Sequence, residues 1–336
     1  MSHLVVIGAG AWGTALAITL ARKGEHTVWL WAREADVAQT IAQSRVNERF
    51  LPGVQLPDSI HATNDLKTAL EGAKIIVSVM PSQHCRALFE SIAPFLQSET
   101  LVVSCTKGLE NGTLLRMTEV IAEVFQARGL TPKVSALSGP SFAKEVARGD
   151  PTAVTAASCN GDVARTVQKA FNSSRFRVYT NDDVVGVELG GALKNIIAIA
   201  AGVSDGLGLG HNSIAALITR GLAEMARLVV ACGGRLDTMA GLAGLGDLVL
   251  TCTGDLSRNR SVGVELGKGR KLPEIIAGMH GAVAEGVFTT KAAVALAREK
   301  NVEMPITEQM FAILEQGKAP QQAIEELMTR AAKSEG

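Results

Sequence analysis

One lysine, Lys194, lies in the middle of an apolar, glycine-dotted segment, residues 184–210, with the sequence VVGVELGGALKNIIAIAAGVSDGLGLG. An unpartnered ammonium group is costly to remove from water, so such a lysine reaches solvent, is ion-paired, or has a lowered pKa that suits acid–base chemistry. Gly190 and Gly191 precede it by about one helical turn, and a small molecule could lie on the surface that they leave without side chains. The segment alone leaves open whether Lys194 is catalytic or extends to solvent past a closely packed helix.

A second group of polar residues has the composition of an anion site. Ser257, Arg258 and Asn259 follow a glycine-rich run that ends at Asp247. A guanidinium group can bind phosphate through two parallel hydrogen bonds, with hydroxyl and amide donors beside it. This cluster predicts a phosphate site, although a solvated loop has the same composition. Asp247 could orient Lys194 or hold a substrate hydroxyl.

The amino-terminal stretch has the pattern of a dinucleotide site. Gly8, Gly10 and Gly13 form G-x-G-x-x-G between an apolar strand, LVVIG, and a helical pattern that ends at Gly24, and a second strand, HTVWLWAR, follows. In this context the glycines permit a tight turn and close approach to a pyrophosphate, and the helix that begins near Ala11 offers free N–H groups. The βαβ unit predicts NAD(P) binding, and the alternative is a purely structural glycine turn.

The residues after the second strand bear on the choice of coenzyme. A carboxylate about 20 residues beyond the glycine loop favours NAD, whereas an arginine accommodates the 2′-phosphate of NADP. Arg33 at the strand end favours NADPH, and Glu34 next to it keeps NADH in use. A solvated helix start would also explain both residues.

Further apolar runs predict a doubly wound, mostly parallel sheet. The runs AKIIVSVMPSQ, ETLVVSCTKGL and PKVSALSGPSF fit strands buried on both faces, and TAVTAASC and RFRVYTN complete the layer. Ligands bind outside the carboxyl ends of such strands, so the residues there should share one crevice with the glycine loop. These residues are Pro81, Ser82, Lys107, Gly108, Gly139 and Ser141. Elsewhere Lys107 would be an ordinary surface lysine, and Ser141 a helix N-cap.

The periodicity changes near residue 182. Helical patterns alternate with the earlier strands, including one over residues 113–129, but almost only helical patterns follow. The sequence thus predicts a Rossmann domain over residues 1–184 and an all-α domain over residues 185–336. In the long apolar helix after Lys194, the spacing of Arg220, Glu224 and Arg227 is compatible with internal ion pairs in a core helix.

Composition argues against several classes of function. The chain of 336 residues has a formal net charge of zero, one tyrosine and three tryptophans, which is unlike a nucleic-acid-binding protein. Its five cysteines are scattered and form no C-x-x-C pair, which indicates reduced thiols in a cytosolic protein and no zinc site. No uninterrupted apolar stretch reaches about 18 residues, which argues against a membrane span.

The succession GAGAWG, TKG, SGPSFAKEV, GGALKNIIAIAAG, GLGDLVLTCTGDLSRNRSVG and VAEG resembles NAD(P)-dependent glycerol-3-phosphate dehydrogenases of the bacterial biosynthetic type. The resemblance covers nearly the whole chain in the family's order and implies a second domain like that of 6-phosphogluconate dehydrogenase. It implies a substrate site lined by Lys107, Gly139, Ser141, Lys194, Asp247, Thr251, Ser257, Arg258 and Asn259. It implies cofactor contacts from Gly8, Gly10, Ala11, Trp12, Gly13, Arg33, Lys107, Ala143, Arg258, Val283 and Glu285.

The implied reaction is reversible hydride transfer between NADPH, or NADH as a second coenzyme, and dihydroxyacetone phosphate, which yields sn-glycerol 3-phosphate for glycerophospholipids. Lys194 matches the family's catalytic lysine, with Lys107 and Asp247 beside it. The apolar surroundings and Lys107 should lower the pKa of Lys194, and Asp247 should oppose that shift. The resemblance also implies a cytoplasmic homodimer without a metal. The alternatives are a reductase for ketopantoate or another hydroxy acid, and a protein that senses NADPH without turnover.

Overall fold

The computed structural model of the chain describes residues 2–279, 284–332 and 334. These residues form ten strands: β1 Ser2–Ile7, β2 His26–Trp31, β3 Val46–Asn47, β4 Leu51–Gln55, β5 Ile60–Thr63, β6 Ile75–Ser78, β7 Leu101–Ser104, β8 Lys133–Ser138, β9 Thr152–Ala157 and β10 Phe176–Asn181. The helices among them are α1 Ala11–Ala21, α2 Ala35–Ser44, α3 Leu66–Leu70, α4 Cys85–Ile92, α5 Met117–Gln126, α6 Ala143–Arg148, α7 Gly161–Phe171, α8 Val184–Gly206, α9 His211–Ala231, α10 Leu236–Met239, α11 Asp247–Thr253, α12 Arg258–Gly267, α13 Leu272–Ala277, α14 Glu285–Glu299, α15 Pro305–Gln316 and α16 Pro320–Met328. Short 3₁₀ turns at Ser82–His84 and Ala93–Phe95 flank α4, and Leu242–Gly246 form one turn of π-helix.

Eight strands form one sheet in the order β10-β9-β8-β7-β6-β1-β2-β5. Neighbouring strands are parallel except β8 and β9, which are antiparallel, so the predicted mostly parallel Rossmann sheet is confirmed. Every residue of β6 and β7 is buried, because one apolar core packs on each face of the sheet. This double burial explains why these strands are continuous apolar runs rather than alternating ones.

Two features of the first domain differ from the sequence prediction. The short strands β3, β4 and β5 were not predicted, since the stretch that contains them is rich in polar residues and turns. Helix α5 begins at Met117 rather than at Thr113. Leu109 and Arg116 form an isolated antiparallel bridge, and Leu114 has φ 63°, so the chain is not helical before Met117.

After β10 the described chain is helical, and α8 is the helix around which the others pack. By length and composition α8 alone among the described helices could cross a membrane, but 94% of its most apolar 18-residue window is buried inside the protein. It is therefore a core helix, with α9, α11, α12 and α14 against it.

Glycines allow α8 and α12 to cross in backbone contact. A Cβ atom on Gly202 would lie 2.0 Å from the carbonyl oxygen of Arg260, and one on Gly263 would lie 2.0 Å from that of Ile199. Gly206 and Gly267 repeat this contact one turn further along. The close crossing brings the first turn of α12, with its polar residues, against the middle of α8.

Glu224 of α9 binds the start of a neighbouring helix. Its buried carboxylate accepts hydrogen bonds from the backbone N–H groups of Ile306 (2.7 Å) and Thr307 (3.3 Å) at the start of α15, and burial raises its pKa to about 7. Arg227 donates to the carbonyl oxygen of Glu303, and its charge also lowers the pKa of Glu224. The helix is a core element, as expected, and Glu224 caps a neighbouring helix.

Candidate active site

Two ammonium groups and one carboxylate meet where the domain that contains the sheet contacts the helical domain. Lys194 Nζ lies 3.0 Å from Asp247 Oδ1, and Lys107 Nζ lies 2.6 Å from Asp247 Oδ2. Lys194 Nζ also donates to Thr251 Oγ1 at 2.7 Å. Lys194 is 6% exposed and Asp247 1%, so the buried charges have the partners that burial demands.

Each member of this cluster comes from a different element. Lys194 lies midway along α8, Asp247 is the first residue of α11, and Lys107 follows β7. The π-helical turn Leu242–Gly246 directly precedes Asp247, and such turns change the direction in which the next side chains point. Gly244 is required in this turn, because a Cβ atom there would lie 2.2 Å from the carbonyl oxygen of Met239.

Burial lowers the pKa of Lys194 to about 8, with Lys107 adding to this effect and Asp247 opposing it, as the sequence predicted. Burial alone would raise the pKa of Asp247, but the two lysines outweigh it and the pKa is lowered. Asp247 is therefore ionised at neutral pH. With Lys194 protonated the cluster carries one excess positive charge, which suits an oxygen that becomes negative during a reaction.

The proposed substrate surface beside Gly190 and Gly191 is not present. A Cβ atom on Gly190 would lie 2.7 Å from the carbonyl oxygen of Ala243, and one on Gly191 would lie 2.5 Å from Ser138 Oγ. The prediction of open space was wrong. The glycines instead let the π-helical turn and the end of β8 approach α8, and this close packing brings Asp247 and Lys107 to Lys194.

The loop after β8 completes this side of the cluster. The carbonyl oxygen of Gly139 accepts hydrogen bonds from Lys107 Nζ (3.2 Å) and from Ser141 Oγ (2.9 Å). Gly139 has φ +145°, and a Cβ atom there would lie 2.9 Å from Val154 Cα. Ser141 is not the N-cap of α6, because Phe142 holds that position. Ser141 is thus oriented toward the lysine cluster rather than toward the helix.

In the polar cluster at the start of α12, Ser257 and Asn259 make different contacts. Ser257 is the N-cap of α12 and accepts from the backbone N–H of Arg260. Asn259 Nδ2 donates to Asn195 Oδ1 at 2.9 Å, and Asn259 Oδ1 accepts from Gly286 N at 3.0 Å. Asn195 follows Lys194 directly, so this amide pair ties the cluster to the part of α8 that carries Lys194. The sequence pattern had not singled out Asn195.

Arg258 has a different environment. Its side chain is exposed, yet the surrounding protein lowers the pKa of its guanidinium group, with Glu285 opposing the shift. A group that is accessible but largely surrounded lies in a cleft. The guanidinium forms no hydrogen bond or ion pair with the described residues, so its donors face this cleft and can take an anion.

The glycine loop has the geometry that a dinucleotide requires. A Cβ atom on Gly8 (φ +117°) would lie 2.0 Å from the carbonyl oxygen of Val79, and one on Gly13 would lie 1.8 Å from that of Gly8. By contrast, nothing lies within 4 Å of a Cβ position on Gly10. The first and third glycines are thus needed for packing, and the second leaves room for a pyrophosphate against the N-terminus of α1.

The remaining cofactor candidates come from several different elements. Ala11 and Trp12 begin α1, Ala143 begins α6, which packs against α1, and Trp12 Nε1 is buried without a partner among the described residues. The Arg33 side chain is 71% exposed, lies two residues beyond the end of β2, and pairs with Glu34 at 2.9 Å. Glu285 begins α14 and accepts from Ser82 N and Oγ. Val283 lies outside the described residues.

Comparison with known proteins gives one consistent family. A family model described as NAD-dependent glycerol-3-phosphate dehydrogenase N-terminus matches residues 3–164, and its C-terminus counterpart matches residues 183–325. A protein of Koribacter versatilis named NAD(P)+ glycerol-3-phosphate dehydrogenase is 64% identical over 100% of this chain and 99% of its own length. One of the same name from Acidobacterium capsulatum is 57% identical over 100% of both chains. The crystal structure of glycerol-3-phosphate dehydrogenase from Coxiella burnetii has a TM-score of 0.93 and 45% identity, covering 98% of this chain and 99% of that one.

Proposed function

The chain belongs to the NAD-dependent glycerol-3-phosphate dehydrogenase family, and we propose that Lys194 is the general acid and base of its reaction. Membership makes it an oxidoreductase that uses NAD(P) to interconvert sn-glycerol 3-phosphate and dihydroxyacetone phosphate. The observation that carries the role of Lys194 is its position within hydrogen-bond reach of both Asp247 and Thr251 while its pKa is lowered to about 8.

A reduced nicotinamide cofactor, when bound at the glycine loop, would supply the hydride that C2 of the ketone needs. The C2 oxygen gains electron density as the carbonyl π bond breaks, and the Lys194 ammonium group stabilises it and donates a proton, leaving an alcohol and a neutral amine. In the reverse direction the neutral Lys194 amine takes the proton from the C2 hydroxyl. Asp247 holds the lysine, and Thr251 fixes the direction of its Nζ.

Lys107 serves the same oxygen from the other side of Asp247. Its Nζ is held by Asp247 Oδ2 and by the carbonyl oxygen of Gly139. A second ammonium group there adds positive potential at the reacting oxygen without giving up its own proton. Ser141, bound to the same carbonyl, offers a hydroxyl to the substrate.

The phosphate of the substrate binds at the start of α12. Arg258 contributes a guanidinium group with unused donors, and the N-terminus of a helix favours an anion. Asn259 has one amide N–H beyond its bond to Asn195, which it can offer to the phosphate. Binding the phosphate away from C2 orients the reacting carbon and contributes to the rate.

The pH dependence of the two directions should be opposite. Ketone reduction needs the Lys194 ammonium, so its kcat/KM should be constant below the pKa of about 8 and fall roughly tenfold per pH unit above it. Oxidation of glycerol 3-phosphate needs the neutral amine, so its kcat/KM should rise up to the same pKa and then level off. Initial rates in both directions across this range check the prediction. A break near the ordinary lysine value would contradict the lowered pKa of Lys194, and the absence of any break would remove Lys194 from the proton transfer.

We also propose that Arg33 favours NADPH over NADH. Its exposed guanidinium can leave Glu34 and pair with the 2′-phosphate, which NADH lacks. Arg33→Ala should raise KM for NADPH by about tenfold and change KM for NADH by less than about twofold. Parallel kinetics with the two coenzymes measure this, and equal changes in both values would refute the role of Arg33.

The activity itself is tested by mixing the purified protein and NADPH with dihydroxyacetone phosphate, with ketopantoate, or with no ketone. Loss of reduced-nicotinamide absorbance should occur with dihydroxyacetone phosphate only. Turnover of ketopantoate instead would favour the other reductase class, and binding of NADPH without any turnover would favour a sensor.

Three further assignments are proposals of the same kind. We assign residues 1–184 to cofactor binding and 185–336 to catalysis, since β10 ends at Asn181 and α8 begins at Val184. We also propose a cytoplasmic enzyme whose product supplies glycerophospholipid synthesis. Exposed large apolar side chains are concentrated in the helical domain, which supports a homodimer there; light scattering that gives the mass of one chain would contradict it.

A further inference from the structure

Ser82 is buried in the loop after β6, and both of its donors point at one carboxylate. Its backbone N–H donates to Glu285 Oε1 at 3.1 Å, and its hydroxyl donates to Glu285 Oε2 at 2.8 Å. Ser82 belongs to the first domain and Glu285 to the second. These two bonds therefore join the two domains.

A third residue orients the serine hydroxyl. Gln83 Nε2 donates to Ser82 Oγ at 3.1 Å and to the carbonyl oxygen of Leu109 at 2.8 Å, and its Oε1 accepts from Asn111 N at 3.0 Å. Because Ser82 Oγ accepts from Gln83, its own hydrogen is left for Glu285. Bonds arranged in such a chain strengthen one another.

The backbone at Gly108 packs directly against the contact between Ser82 and Glu285. A Cβ atom on Gly108 would lie 2.6 Å from Ser82 Oγ and 3.1 Å from Glu285 Oε2. Burial raises the pKa of Glu285, and the Ser82 bonds and Arg258 oppose that shift. Ser82 thus both locates the carboxylate and helps to keep it ionised.

The same loop also touches the dinucleotide site. The carbonyl oxygen of Val79 is the atom that a Cβ on Gly8 would meet, and Val79 N donates to the carbonyl of Ile7. On the other side, Gly286 N is held by Asn259 of the phosphate cluster. Glu285 is thus fixed between the glycine loop and the start of α12.

We propose that Ser82, oriented by Gln83, is a positioning residue for the cofactor: it holds the Glu285 carboxylate of the helical domain at the place where that carboxylate meets the bound dinucleotide. This rests on the proposed function, and on the cofactor contact that the family resemblance implies for Glu285. Ser82 itself touches neither substrate nor reacting atoms. Its effect should therefore appear in coenzyme affinity and not in the hydride-transfer step.

The test measures the NADPH dissociation constant by fluorescence, together with KM and kcat. Ser82→Ala should raise both the dissociation constant and KM about tenfold and change kcat by less than about twofold, as expected for loss of a hydrogen bond to a charged group. Gln83→Ala keeps the Ser82 hydroxyl but removes the amide that donates to it, so the NADPH dissociation constant and KM should rise less, by about threefold. Ser104→Ala is the matched control, because Ser104 is also a buried serine of the first domain but its hydroxyl has no partner among the described residues.

A double-mutant cycle separates positioning from a general structural effect. In a Glu285→Gln background, Ser82→Ala should weaken NADPH binding by less than about twofold further, since the carboxylate that it held is gone. Equal weakening in both backgrounds, or unchanged NADPH binding in Ser82→Ala, overturns the inference. NADPH binding is measured without any ketone, so a failure to reduce dihydroxyacetone phosphate would count against the proposed function and not against this contact.

Discussion

Replacing Lys194 with methionine is expected to lower kcat for dihydroxyacetone phosphate reduction by about 10³-fold or more. The reaction loses both its proton donor and the positive charge next to the reacting oxygen. Folding should persist, because methionine fills a similar volume and Asp247 keeps its 2.6 Å partner Lys107. NADPH binding should stay within about threefold of the wild type, since Lys194 lies on α8 and not in the glycine loop.

Stopped-flow turnover, NADPH fluorescence and thermal melting together check this prediction. Lys291→Met is the matched control, because it removes an exposed lysine from the same domain. Its turnover should equal that of the wild type. If Lys194→Met instead turned over at a rate near the wild type, the proton would have to come from another group, and Lys107 would be the next candidate.

Replacing Arg258 with alanine should abolish most of the preference for a phosphorylated ketone. We expect kcat/KM for dihydroxyacetone phosphate to fall by about 10² to 10³-fold, the usual effect of removing one partner of a close charge pair. For unphosphorylated dihydroxyacetone the change should be below about threefold, because that substrate makes no use of the guanidinium. The ratio of the two kcat/KM values is the quantity to measure.

Arg270→Ala provides the comparison for this variant. Arg270 lies just beyond the end of α12 and pairs with Glu265 on the surface, so its removal changes the same net charge without touching the cleft. Its substrate preference should be that of the wild type. An unchanged preference in Arg258→Ala would mean that the phosphate binds elsewhere, whereas an equal fall for both ketones would indicate a role in cofactor binding alone.

Much of this site could be predicted because its chemistry is local in sequence. Gly8, Gly10 and Gly13 have distinct steric roles, and a short motif next to a strand and a helix is enough to recognise them. The apolar segment left open whether Lys194 is buried or reaches solvent, and the structure shows that it is buried with a lowered pKa. The parallel sheet followed from apolar runs that are buried on both faces.

The errors concern contacts between residues distant in the chain. The space beside Gly190 and Gly191 was predicted to be open. Ala243 and Ser138 occupy the positions where side chains of these two residues would lie, and no local sequence pattern reveals this packing. The bond between Ser82 and Glu285 spans 203 residues and joins two domains. A serine in a loop after a strand and a glutamate at a helix start are both common in proteins for local structural reasons. Their contact could therefore be recognised only in the folded chain.

The most direct test of the role of Lys194 is the rate of hydride transfer in a single turnover. This rate is followed as loss of reduced-nicotinamide absorbance, across a range of pH, in the wild type and in Lys194→Met. The wild-type rate should be constant in acid and fall above the pH at which the Lys194 ammonium loses its proton. The variant, saturated with NADPH and dihydroxyacetone phosphate, should be slower by about 10³-fold and show no such break. A variant that transfers hydride at the wild-type rate, or that keeps the same break, would contradict the assignment of Lys194 as the acid.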